Sequence, residues 1–166
     1  MVGPGGAGKT TFARQLGDRM GLPVIHLDEH FWKPGWKPTP RDEWRSIQER
    51  LLAADKWIVD GNYGATLDVR FGRADTVIVF AISRTRCVAR AMRRSLLHRG
   101  RAIQAAGCPE RVDREFFRWI WRYPTDSKPR LVAAIRAHAQ HAEVITFRSS
   151  RDVRAFLRLA TAPTGG

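Results

Sequence analysis

Gly3-Pro4-Gly5-Gly6-Ala7-Gly8-Lys9-Thr10 is the stretch on which the reading of this chain turns, because it fits the spacing G-x-x-x-x-G-K-[ST]. Successive backbone N–H groups can wrap a phosphate only where side chains do not intrude, and glycine permits the dihedrals this requires. The run from Lys9 to Met20 has Phe12, Leu16 and Met20 four apart and Gly21 just past its end, which predicts an amphipathic helix. A helix starting there adds the positive end of its dipole to the loop. Pro4, Ala7 and Thr11 complete the predicted cradle, Lys9 is expected to reach the β- and γ-phosphates of ATP, and the Thr10 hydroxyl is a candidate Mg²⁺ ligand. A flexible glycine-rich terminus is the competing explanation, and the helix that follows argues against it. A strand is expected before such a loop, yet only Met1 and Val2 precede Gly3, so the first strand is expected to be truncated or to begin upstream.

Outward from the loop, short apolar runs alternate with helical patterns. Strands are predicted at Leu22–Leu27, Trp57–Asp60, Asp75–Ile82 and Glu143–Phe147. Helices are predicted from Pro40, with Thr39 as cap, to about Ala54, and over Thr85–Leu97 and Glu110–Trp121. Two more are predicted over 128–140 behind Ser127 and after Ser150. Uniformly apolar strands between helices argue an α/β protein with a parallel sheet covered on both faces. At 166 residues the chain suits a single domain, placed at 1–160, with a frayed, disordered tail at 161–166 (TAPTGG).

Composition narrows the class. Apolar residues are 43% and charged residues 27%, which excludes an extended disordered chain. The longest apolar run, Val77 to Ile82, falls far short of the ~20 residues of a membrane span. No basic segment leads into an apolar signal, and Cys87 and Cys108 have neither metal-ligand nor disulfide-framework spacing, so a reducing cytoplasmic setting is expected. The net charge of +13 is uneven. Residues 1–83 carry 11 basic and 10 acidic side chains, while 84–166 carry 18 and 6. Such a half implies anionic partners, either nucleotide phosphates or nucleic acid. The other explanation is compositional drift, since 24 of the 29 basic residues are arginine.

Three segments carry a family likeness. GPGGAGKTTFARQLGDRMGLPVIHLDEHFWKPGW, WIVDGNY and GCPERVDREFFRWIW together resemble the topology-modulation-protein family, adenylate kinase-related P-loop proteins of bacteria. The likeness extends from residue 1 to about 158. It implies a three-layer P-loop NTPase fold, nucleoside-kinase-like, with a five-stranded parallel sheet of order 2-3-1-4-5. It also implies ATP binding and kinase activity.

Candidate site residues follow from the motifs and this resemblance. Asp60 ends a strand and precedes Gly61, as in the Asp-Gly pair of adenylate kinases, where it can hold Mg²⁺ opposite Thr10; the alternative is a carboxylate capping the next turn. Asp28 also ends a strand at the edge where open α/β sheets bind ligands, and it is assigned to the acceptor hydroxyl or the base role. Its alternative is a hydrogen bond that orders the loop. Arg94, Arg99 and Arg101 stand where adenylate kinases place lid arginines, giving a lid at about 94–111 that would stabilise charge on a transferring phosphoryl group. The competing explanation is a solvated helix face. One departure matters. Ala65 stands near the place of the arginine with which adenylate kinases bind a monophosphate acceptor, and Arg70 is the nearest cation. No N-K-x-D signature or D-x-x-G switch supports a regulatory GTPase. The leading expectation is therefore an ATP- and Mg²⁺-dependent kinase of a small-molecule acceptor. Its rival is a nucleic-acid-binding regulator of DNA topology that uses the basic half, with ATP as switch.

Overall fold

A computed structural model describes residues 1–160, so the tail expected at 161–166 lies outside the described residues. The protein is a mixed α/β structure with small parallel sheets. In chain order the elements begin with α1 (Lys9–Met20), β1 (Val24–His26), α2 (Leu27–Phe31), β2 (Trp32–Lys33), β3 (Lys37–Pro38), α3 (Arg41–Leu51) and β4 (Ile58–Asp60). A 3₁₀ turn at Gly64–Thr66 leads to α4 (Leu67–Phe71), β5 (Thr76–Phe80), α5 (Arg84–Leu97), α6 (Arg114–Asp126), α7 (Lys128–His138), β6 (Glu143–Phe147) and α8 (Ser150–Leu159). Among the described residues no helix is long and apolar enough to cross a membrane.

β1 pairs parallel with β4, bringing His26 opposite Asp60, and β5 pairs parallel with β6 from Thr76↔Glu143 to Phe80↔Phe147. The backbone of Met1 and Val2 lies between these pairs. Met1 N donates to Val59 O (2.6 Å) and Gly61 N to Met1 O (3.3 Å), while Val2 N donates to Ile78 O (2.9 Å) and Phe80 N to Val2 O (2.8 Å). Both two-stranded pairs are thus tied to the residues that lead into the glycine-rich loop, Gly3 to Gly8.

Phe12 on α1, 1% exposed, anchors the largest core. Its ring stands edge-on to Phe80 (centroids 5.5 Å apart) and to Phe147 (5.2 Å), joining α1 to β5 and β6. A second cluster gathers Val2, Leu67, Phe71, Val77 and Leu131, and a third Leu27, Trp44, Leu52 and Val59. The first core fixes the loop and the third fixes the segment that carries Asp28.

Several local expectations change. Thr39 does not cap α3, because its hydroxyl donates to Phe31 O (2.7 Å) and fastens the β2–β3 hairpin; the helix also stops at Leu51. α6 starts at Arg114 instead of Glu110. Asp113 is the better N-cap, accepting from the N–H groups of Glu115 and Phe116, and Glu110 is engaged in the preceding loop. Val112, within the helix the sequence predicts, is consequently outside α6 and exposed. Ser149, not Ser150, caps α8 through a reciprocal capping box with Asp152.

Candidate active site

The glycine-rich loop from Gly3 to Gly8 is held from both sides. Gly3 N donates to Asn62 Oδ1 (2.9 Å), and Asn62 Nδ2 donates back to Gly3 O (2.7 Å), so the residue after the Asp60-Gly61 pair clamps the loop's first glycine. Gly6 has φ +74, and a Cβ there would collide with the Cys87 carbonyl oxygen, because α5 packs directly against the loop. Gly8, at φ +96, occupies the N-cap of α1 and offers no capping side chain. The first-turn N–H groups of Lys9, Thr10 and Thr11 therefore have no acceptor among the described residues. Lys9 folds back over the loop, its Nζ donating to Gly3 O (2.8 Å) and Pro4 O (3.0 Å).

Thr10 and Asp60 come together as the sequence predicts. Thr10 Oγ1 donates to Asp60 Oδ2 at 2.6 Å. Asp60 is 5% exposed, and its other oxygen, Oδ1, is buried with no hydrogen-bond partner among the described residues. Burial alone would raise the Asp60 pKa, but hydrogen bonds from His26 and Thr10 and the charge of Lys9 hold it below the usual carboxylate range. His26 makes only a long contact, Nδ1 to Asp60 Oδ2 at 3.4 Å.

These features fit a magnesium–nucleotide triphosphate. A hard oxygen pair with one orphaned carboxylate oxygen suits Mg²⁺, and a helix N-terminus with free amides suits phosphate. No cluster of three or more His, Cys, Asp or Glu forms a metal centre among the described residues. A cation here would be held by Thr10 and Asp60, completed by phosphate oxygens and water.

Asp28, in the first turn of α2, lies in a small cleft with Thr10, Arg14, His26, Asp60 and Gln104. Tyr63 Oη donates to Asp28 Oδ1 at 2.5 Å. Burial raises the Asp28 pKa, against the opposing effects of the Tyr63 hydrogen bond and the charge of Lys9. Tyr63 has φ +23, a conformation that costs a non-glycine residue of order 1–3 kcal/mol unless its surroundings hold it. Arg70 does the holding. Only 3% exposed, it donates Nη1 to Gly61 O (2.7 Å) and Nη2 to Asn62 O (2.8 Å) and Tyr63 O (3.1 Å). Desolvation lowers its pKa to about 10, and it stays charged at neutral pH.

The three arginines expected to form a lid have two kinds of surroundings. Arg94 is half-buried and pairs through Nε with Glu110 Oε1 at 3.3 Å, whereas Arg99 and Arg101 are exposed. Glu110 was not singled out by sequence reasoning, yet it is 3% exposed and organises the loop. Its carboxylate accepts from Gln104 Nε2 (2.6 Å) and Ser95 Oγ (3.3 Å), and its backbone bonds to Gly100 and Arg101. The signal that could have found it is the first carboxylate after the acid-free run from Thr76 to Pro109. The loop also docks on the β2–β3 hairpin. Gly35 N donates to Gly107 O (2.9 Å), Trp36 Nε1 to Pro109 O (2.9 Å) and Cys108 Sγ to Lys33 O (3.3 Å).

The aromatic-rich segments mainly pack. Phe31, Trp44 and Tyr63 form a tilted cluster with centroids 4.6 to 5.1 Å apart, and Trp32 stands edge-on to Trp36. Compared with known proteins, the chain matches no family pattern and no curated relative.

Proposed function

We propose that the protein is an ATP- and Mg²⁺-dependent phosphotransferase acting on a small acceptor. The observation that carries this reading is the Thr10–Asp60 contact of 2.6 Å beside a helix N-terminus whose amides are free. On this reading Gly3 to Thr11 hold the triphosphate, Lys9 leaves the Gly3 and Pro4 carbonyls to neutralise it, and Thr10 and Asp60 hold the metal. Bound MgATP supplies an electrophilic γ-phosphorus. Asp28 takes the acceptor's hydroxyl proton as that oxygen bonds to phosphorus; the bond to the β,γ-bridging oxygen breaks, and ADP departs with the electron pair. The half-buried Arg94 is the lid cation best placed by its neighbours to stabilise charge on the transferring group. Arg99 and Arg101, exposed in this structure, are assigned to the outer face of the lid.

The fold reading belongs with this proposal. If Met1 and Val2 act as the remains of a central strand, the order β1, β4, N-terminal residues, β5, β6 corresponds to 2-3-1-4-5 of a three-layer P-loop kinase. The ladder bonds on both sides of Met1 and Val2 support that assignment. The resemblance to the topology-modulation proteins points the same way.

Calorimetry of the full chain with MgATP tests the reading. Saturable binding that Lys9→Ala weakens sustains it, and absence of binding to a folded preparation overturns it. The rival, a regulator that binds nucleic acid through the basic half, predicts DNA binding that needs no ATP and falls log-linearly with salt.

A further inference from the structure

Resting on the phosphotransferase reading, we propose that the acceptor is an uncharged polyhydroxyl compound, of nucleoside or sugar type, and not a phosphate monoester. Asp28 and Gln104 are the residues that recognise its hydroxyl groups.

The cleft beside Thr10 and Asp60 is rich in acceptors. Asp28 keeps Oδ2 available because Tyr63 engages Oδ1. Gln104 reaches the same cleft from the lid loop; its Nε2 commits one N–H to Glu110, and its amide oxygen, for which no donor is found among the described residues, is the acceptor it can offer. Both free oxygens seek hydrogen-bond donors, and a hydroxyl supplies one. A phosphate dianion supplies none and is repelled by carboxylates.

The cations near this cleft are otherwise engaged. Arg70, the first cation after the Asp60-Gly61 pair, is sealed against three main-chain carbonyls and supports the Tyr63 turn. Lys9, on the loop, and Arg94, paired with Glu110, are on the phosphotransferase reading both given to the phosphates of ATP and not to the acceptor. Arg14 lines the cleft, but it is exposed and sits at 3.4 Å from His26 Nε2, while Asp28, Glu29 and Asp60 outnumber it. The presence of Gln104 there is also built in. Its loop is carried onto the hairpin by the contacts of Gly107, Cys108 and Pro109, and Glu110 fixes the amide itself.

The test is an acceptor panel on the full chain, run beside MgATP calorimetry. The neutral arm holds adenosine, cytidine, uridine, ribose and glucose; the charged arm holds AMP, CMP, UMP, ribose 5-phosphate and glucose 6-phosphate. At least one neutral member should stimulate ADP formation, with kcat/KM at least about tenfold above that of its phosphate ester. Which neutral member responds separates nucleoside from sugar. Gln104→Arg, which brings a cation into the cleft, should shift that ratio toward the ester by about tenfold. Should this variant fail to fold, Asp28→Asn takes its place and should lose stimulation by the neutral acceptor while still binding MgATP. Preference for an ester, or MgATP binding with no response to any neutral member, overturns the proposal and leaves the phosphotransferase reading standing. Loss of MgATP binding overturns both.

Discussion

Two loops of this protein contain glycine, carry positive charge and precede a helix, yet they treat their polar groups in opposite ways. The loop from Gly3 to Gly8, which we propose holds phosphate, turns its backbone through Gly6 and Gly8 and leaves the first amides of α1 without partners among the described residues. The loop from His98 to Pro109 directs its polar groups inward to Glu110 and sideways to the β2–β3 hairpin. Its arginines at 99 and 101 face solvent. Positive charge alone therefore does not mark a phosphate site. Unengaged donors on a rigid frame do, because only they gain when a phosphate arrives.

The largest effect expected from this contrast lies at Lys9. Lys9→Ala removes a cation that has only weak carbonyl partners to leave, so it should lower transfer by about 10²–10³-fold, or roughly 3–4 kcal/mol, with the fold retained. Single-turnover ADP formation beside a thermal melt measures both. Undiminished transfer would remove Lys9 from the site. At Glu110 the consequence should be structural. Glu110→Ala deprives Ser95 and Gln104 of their common acceptor and Arg94 of its ion-pair partner, and should cost about 3 kcal/mol in urea unfolding. A loss under about 0.5 kcal/mol would show that the lid is not organised by that carboxylate.

Gly6→Ala probes the rigid frame itself. The added methyl meets the Cys87 carbonyl at a positive φ, so a loss of about 2 kcal/mol is expected together with weaker MgATP binding. The carboxylates come next, and they carry opposite signs. Asp28 has a raised pKa, so transfer should fall about tenfold per unit as pH drops below a midpoint above the ordinary carboxylate range. Because the folded state favours its protonated form, Asp28 costs stability above that midpoint, and Asp28→Asn should be the more stable protein at neutral pH. Asp60 has a lowered pKa. Its contribution to stability is present at neutral pH and is lost as acid protonates it. A pH-rate profile and pH-dependent melts of the two asparagine variants separate them.

What was legible beforehand follows the range of the interactions. Lys9–Met20 and Glu143–Phe147 have the predicted limits, since their signals, a glycine stop and a short apolar run, are local. The pairing of Thr10 with Asp60 was also legible, because a motif fixes both ends of the contact. The start of α6, at Arg114 and not at Glu110, is set by a contact that is not local. Glu110 looks like an acidic first-turn residue until the long-range pairing of residues 99–101 with it is known. Thr39 failed for the same reason, its hydroxyl being taken by Phe31 eight residues earlier. The engagement of Arg70 with three carbonyls depends on the Tyr63 turn, which no propensity announces.

The smallest effect is expected where charge is most conspicuous. Arg99 and Arg101 are exposed and held in place by the backbone bonds of Gly100 and Arg101 to Glu110, not by their guanidinium groups. The double variant Arg99→Ala/Arg101→Ala should unfold within about 0.5 kcal/mol of the parent, as surface substitutions do. Transfer should fall only about two- to threefold at low salt, the loss of a screened long-range attraction, and the difference should vanish near 0.5 M salt, where the Debye length has shrunk to about 4 Å. A collapse of transfer that persists at high salt, with the melt unchanged, would mean that these guanidinium groups reach the phosphates directly. The lid would then be a second phosphate site instead of a frame for Gln104 and Arg94, and the contrast between the two loops would fail.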